Sequence, residues 1–76
     1  MRSRYMIING WNLYNNSSIN LYFVNNGNTI QAISKLEPSF WVYFEFNLQK
    51  EEIIDIDPKL CSEINKDNKT IKLFDK

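Results

Sequence analysis

The stretch INLYFVNNGNTIQAI, Ile19 to Ile33, decides the fold class. Apolar and polar residues alternate on both sides of an Asn-Gly pair, the strongest short-range hairpin signal. A two-residue turn at Asn26-Gly27 would pair Val24 with Thr29, Phe23 with Ile30, Tyr22 with Gln31 and Leu21 with Ala32. In that register one face collects Ile19, Leu21, Phe23, Ile30 and Ala32. The other collects Asn20, Tyr22, Val24, Thr29 and Gln31. A one-residue slip would mix the two sets.

Working outward, a second Asn-Gly pair lies upstream, in MIINGWNLY. A turn at Asn9-Gly10 pairs Ile8 with Trp11, Ile7 with Asn12 and Met6 with Leu13. Downstream, Glu37-Pro38-Ser39 is a break, because proline lacks a ladder donor and restricts the residue before it. FWVYFEF, Phe40 to Phe46, then reads as a long strand. Strict alternation puts Phe40, Val42, Phe44 and Phe46 on one face and Trp41, Tyr43 and Glu45 on the other. Asn47 to Lys50 turns the chain, and Glu51 to Ile56 gives another strand. Asp57-Pro58 has the form of a helix start, with aspartate at the cap and proline at the first helical position. Leu60, Cys61 and Ile64 follow at helical spacing, so a short helix is expected near 58–66, with a last strand over Thr70 to Phe74.

The expected architecture is one mainly β domain over residues 1–76 with a minor helical part. It would be a small bent antiparallel sheet, or an open SH3- or Sm-like barrel, of five to six strands with that one helix. Ile19, Leu21, Phe23, Ile30, Val42, Phe44, Ile54, Ile56, Leu60 and Leu73 are its expected core. Ten isoleucines and eleven aromatic residues in 76 suit a pleated, half-buried surface. So short a chain needs them, because a small domain buries a small share of its surface.

The net charge is zero but uneven. Residues 1–35 carry +3, residues 36–63 carry −5 and residues 64–76 carry +2. Only the two ends are basic, which argues against a nucleic-acid footprint. The single cysteine, Cys61, forms no internal disulfide and fits a reducing compartment. On the helical reading it is a buried, inert thiol. The run Met6-Ile7-Ile8 is too short for a signal-peptide core, and no run approaches the roughly 20 apolar residues of a membrane helix. A soluble cytoplasmic protein, not attached to a membrane, is expected. Asn15, Asn16 and Asn68 match the glycosylation pattern, as chance allows in a chain with eleven asparagines.

Little chemistry fits these residues. There is no histidine, the commonest general base and metal ligand. The two glycines are too far apart for a phosphate loop. Asp55 and Asp57, with Glu51 or Glu52, could hold a hard cation, but an exposed acidic edge explains them as well. Glu45 beside Trp41 and Tyr43 lacks a second carboxylate to work with. The expectation is no enzyme, no cofactor and no metal.

The INLYFVNNGNTIQAI segment resembles the first motif of Sm-like proteins. Tyr22, Asn25, Gly27 and Gln31 fit that motif, with Ala32 where the family has glycine. Lys50, Ile53 and Pro58 sit roughly as in the family's second motif. Gln49 and Glu51 stand where a tyrosine and a histidine are expected, at the family's RNA-contacting positions. The resemblance covers about half the chain and implies a strongly bent sheet that binds RNA.

Three readings of the second face of FWVYFEF follow. Trp41 and Tyr43 could be covered by the chain's own helix, or by the N-terminal hairpin with Trp11. They could anchor a protein partner: Trp41, Tyr43, Glu45, Tyr22 and Gln31, with the acidic Glu51, Glu52 and Asp55, would then select a basic surface. Or they could stack nucleobases, where Glu45 is unfavourable. The protein-binding reading ranks above the nucleic-acid one, and describes a regulator or inhibitor that occupies a partner surface. Two apolar faces on one strand also make the chain a candidate homo-oligomer.

Overall fold

The computed structural model describes residues 4–36 and 39–76. Among these described residues eight strands form two four-stranded sheets: β1 (Tyr5–Ile8), β2 (Trp11–Asn16), β3 (Tyr22–Asn26), β4 (Thr29–Leu36), β5 (Ser39–Asn47), β6 (Glu52–Ile56), β7 (Leu60–Asn65) and β8 (Thr70–Asp75). The first sheet has the order β1-β2-β8-β7 and the second the order β3-β4-β5-β6. The chain is therefore mainly β, but it is neither a single bent sheet nor a barrel of five to six strands. The second sheet is a meander. The first joins an N-terminal and a C-terminal hairpin through parallel pairing of β2 with β8, Leu13 opposite Ile71. The break expected at Glu37-Pro38 lies outside the described residues. No helix among the described residues is long and apolar enough to cross a membrane.

The inner faces of both sheets enclose one core. Trp11, Leu13, Ile71, Leu73 and Leu60 meet Leu21, Phe23, Ile30, Ala32, Phe44 and Phe46. The Trp11 and Phe46 rings touch edge-on across the layers, centroids 4.9 Å apart. Leu21, Phe23, Ile30, Phe44, Leu60 and Leu73 are buried as expected, and Ile19 and Ile56 pack partly buried against this cluster. Val42 and Ile54 are exposed instead.

The Asn9-Gly10 hairpin has the expected register, Ile8 opposite Trp11, with φ positive at both turn residues. The second hairpin keeps its expected faces but not its register. Asn26 pairs with Thr29 and Phe23 with Ala32, so the turn residues are Gly27 and Asn28. Only Gly27 has positive φ, at +63°. Glycine at the first central position is the type II′ signature, which competes with the Asn-Gly alternative. The slip moves the pairing by two residues, so the side chains stay on their faces.

The helix expected near 58–66 is strand β7. Asp57-Pro58 starts a turn rather than a helix: the Leu60 amide donates to the Asp57 carbonyl at 2.9 Å, and the Lys59 amide to Asp57 Oδ1 at 2.9 Å. Aspartate first and proline second also describe a type I turn. Leu60 and Ile64 are four apart, a spacing that one helix face and one strand face share. Between them Cys61 points outward and is exposed, which corrects its assignment as a buried thiol.

The crossover from β2 to β3 is fixed by a buried amide. Asn15 Oδ1 accepts from the Ser17 amide at 3.0 Å and from Ser17 Oγ at 2.6 Å, and Asn15 Nδ2 donates to the Ile19 carbonyl at 2.9 Å. Arg4 Nη2 donates to the Ser17 carbonyl, and Asp75 accepts from the Ser18 amide and hydroxyl.

Candidate functional site

Cross-strand partners share a face, so the outer face of the second sheet can be read row by row. One row is Asn26, Thr29, Asn47 and Glu52. The next is Val24, Gln31, Glu45 and Asp55. The third is Tyr22, Ile33 and Val42, and beyond it Lys35 faces Phe40. An acidic strip therefore borders an apolar one.

Two bulges produce this arrangement. On β5 the pairing jumps from Ala32–Phe44 to Ile33–Val42, so Tyr43 is the extra residue. A bulge inserts one residue and breaks the strand's alternation. Phe44 and Phe46 stay buried, while Val42 and Phe40 turn out to solvent, Phe40 at 61% exposure. This corrects the alternation expected through FWVYFEF. Trp41 falls opposite Ser34, in the row of Ile30 and Ala32, but beyond the cover of the first sheet. It is 54% exposed. On β6 the jump from Glu45–Asp55 to Phe46–Ile53 leaves Ile54 as the extra, exposed residue.

Of the expected partner-binding residues, Tyr22, Gln31, Glu45, Glu52 and Asp55 share the outer face of the sheet. Gln31 Nε2 donates to Glu45 Oε2 at 3.1 Å. Asp55 stands directly opposite Glu45, and among the described residues neither is in an ion pair. Like charges directly opposite each other are unfavourable in an isolated sheet. Trp41 is on the opposite side of the sheet, beyond the core, edge-on to Tyr43 with centroids 6.5 Å apart. Tyr43 is half-buried against the core. Glu51 is not part of the set. It sits in the β5–β6 turn and pairs with Lys69 at 3.5 Å, and that lysine also lies over Trp11.

Asp57 holds Trp41 in place. Trp41 Nε1 donates to Asp57 Oδ2 at 3.0 Å, and the Asp57 amide donates to the Tyr43 carbonyl at 2.7 Å. The bond from the Lys59 amide, and then the indole, hold the Asp57 carboxyl below its usual range, because both stabilise the charged form. Sequence reasoning missed Phe40, Val42 and Ile33 as surface residues, since regular alternation assigns Val42 to the core. It read Asp57 as a helix cap or, with Asp55, a cation ligand, and missed it as the acceptor that holds Trp41.

Among the described residues no group of three or more His, Cys, Asp or Glu is placed to hold a metal ion. The chain matches no protein-family model, no curated protein and no solved structure with which it was compared.

Proposed function

We propose that this chain is a non-catalytic protein-binding module that docks the outer face of its second sheet onto a basic partner surface. It would regulate or inhibit by occupying that surface. One observation carries the reading: Glu45 and Asp55 face each other with neither in an ion pair among the described residues, beside the exposed strip of Tyr22, Val42 and Phe40. An unbalanced acid pair is relieved by a partner's lysine or arginine, and the aromatic residues supply apolar anchors. The same acids repel a phosphate backbone, which disfavours RNA or single-stranded DNA on this face. The exposed lone thiol of Cys61 supports a reducing compartment such as the cytoplasm.

The test is affinity capture from the source cells with three baits: the wild-type chain, Glu45→Lys/Asp55→Lys and Phe40→Ala. A protein with a basic surface that binds the wild type, weakens with salt and is lost from both variants supports the reading. Salt-sensitive binding of RNA or single-stranded DNA that Trp41→Ala abolishes would replace it.

A second copy is the other occupant with support. Edge strand β1 exposes Met6 and Ile7 beside an open ladder edge. Mass measured across a concentration series tests this, and a monomer throughout counts against it.

A further inference from the structure

The two Asn-Gly pairs occupy different places in their hairpins. Asn9 and Gly10 are both turn residues with positive φ, whereas Asn26 is the last ladder residue of β3 and Gly27 opens the turn. Asparagine before glycine can react with its own backbone, because a residue without a Cβ lets its amide nitrogen approach the asparagine side chain. That nitrogen must first lose its proton. Resonance shares the resulting charge with the carbonyl oxygen of the same peptide unit. A donor placed on that oxygen therefore favours the reaction.

At Asn26 this donor is present: Thr29 Oγ1 donates to the Asn26 carbonyl at 2.8 Å. The corresponding residue after Asn9 is Asn12, and its Nδ2 donates to the Lys69 carbonyl instead. Asn26, Gly27 and Asn28 are exposed, and nothing lies within 4 Å of where a Cβ on Gly27 would stand. Water and hydroxide therefore reach the turn.

We infer that Asn26 is a self-modification site, which becomes a carboxylate as the chain ages. Solvent hydroxide takes the Gly27 amide proton, and the nitrogen attacks Asn26 Cγ. A bond forms between them, the Cγ–Nδ2 bond breaks, and ammonia leaves with a proton from water. Water then opens the cyclic imide at either of its carbonyls. Opening at Cγ gives aspartate. Opening at the backbone carbonyl gives isoaspartate, which carries the main chain through Cβ and Cγ. Either product adds a negative charge to the outer row of Asn26, Thr29, Asn47 and Glu52, next to the row of Glu45 and Asp55. The gain for a basic partner rests on the docking reading, whereas the reaction itself does not.

The test is incubation of the whole chain in mildly alkaline buffer. Tandem mass spectrometry locates each new acid, and an isoaspartyl methyltransferase labels the iso form. Acid is expected to form at Asn26 about fivefold faster than at Asn9, the factor that a single hydrogen bond supplies. Thr29→Val should bring Asn26 to the rate of Asn9, and Thr29→Ser, which keeps the hydroxyl, should hold the wild-type rate. In urea the wild-type chain loses the Thr29 bond, so both pairs should react alike. This control keeps the test valid even where Thr29→Val loosens the hairpin. Equal rates in the folded chain, a preference that survives in urea, or a wild-type rate in Thr29→Val overturns the site. So does the absence of acid at Asn26 in the time that converts the unfolded chain. Acid at Asn26 in a chain that captures no basic partner upholds the site while the docking reading falls.

Discussion

The Trp41 indole donates to the Asp57 carboxylate at 3.0 Å, tying the first half of β5 to the turn that leaves β6. The Lys59 amide and this indole lower the Asp57 pKa. A carboxyl whose folded pKa is depressed contributes stability above its unfolded pKa, and loses it as pH falls through the folded value. The contribution is therefore complete at neutral pH and fades below about pH 4. Trp11 is buried and Trp41 exposed, so the two indoles should respond differently. A change in Trp41 emission is expected on acidification in that window, and Asp57→Asn should remove it. An acid titration of Trp11→Phe, which leaves Trp41 as the only indole, measures this.

The bulge at Tyr43 separates neighbours that alternation would treat alike. Phe44→Ala should cost about 3–5 kcal/mol, as for other buried phenylalanines. Domains are stable by only about 5–15 kcal/mol in all, so that variant should be at or near unfolding. Val42→Ala should cost less than about 1 kcal/mol, because Val42 faces solvent. Urea midpoints of the two variants compare them directly, and equal losses would return Val42 to the core.

The two Asn-Gly pairs should respond differently to alanine. Asn9 has φ +50° and Asn26 does not have positive φ. Asn9→Ala should cost about 1 kcal/mol, while Asn26→Ala should be nearly neutral. Gly27→Ala should cost about 1–2 kcal/mol through its backbone alone, since an added Cβ meets nothing within 4 Å. Thermal midpoints of the three variants settle the turn register.

Asn15→Ala should be among the most damaging polar substitutions. It strands the Ser17 amide. It leaves the Ser17 hydroxyl and the Ile19 carbonyl with only the longer 3.4 Å bond between them and the Ile19 amide on the hydroxyl. Each stranded buried group costs about 1–3 kcal/mol, less where water reaches it. A loss of about 3 kcal/mol is expected, read from the urea midpoint. Asn16→Ala, next to it but exposed, is the control.

What the sequence made legible was local. The Asn9-Gly10 hairpin, the faces of β3 and β4, and strands β5, β6 and β8 follow from turn chemistry and alternation. The failures share one cause: a local signal that fits two geometries. Gly27 serves Asn-Gly and Gly-Asn turns alike. Asp57-Pro58 begins a helix or a type I turn, and Leu60 and Ile64 suit either element. Pairing decided each case. β7 forms because β8 gives it a partner, Ile64 opposite Ile71. The candidate face was half legible: its acids and Tyr22 could be named, but Val42 and Phe40 reach it only through a bulge that alternation cannot reveal.

The parallel pairing of β2 with β8 also sets an order of events. Between Asn16 and Thr70 the chain leaves the first sheet, builds the whole second sheet and returns. Closing so long a loop is entropically costly and slow compared with forming a hairpin. The meander β3–β6 can assemble from neighbours as it leaves the ribosome, whereas β2 must wait with its inner edge open until residues 70–75 have been made. The core then seals in one late step, when the last hairpin brings Ile71 and Leu73 beside Leu13 and Asn15. A nascent chain that stops before β8 holds a finished second sheet with only the β1–β2 hairpin to close over it.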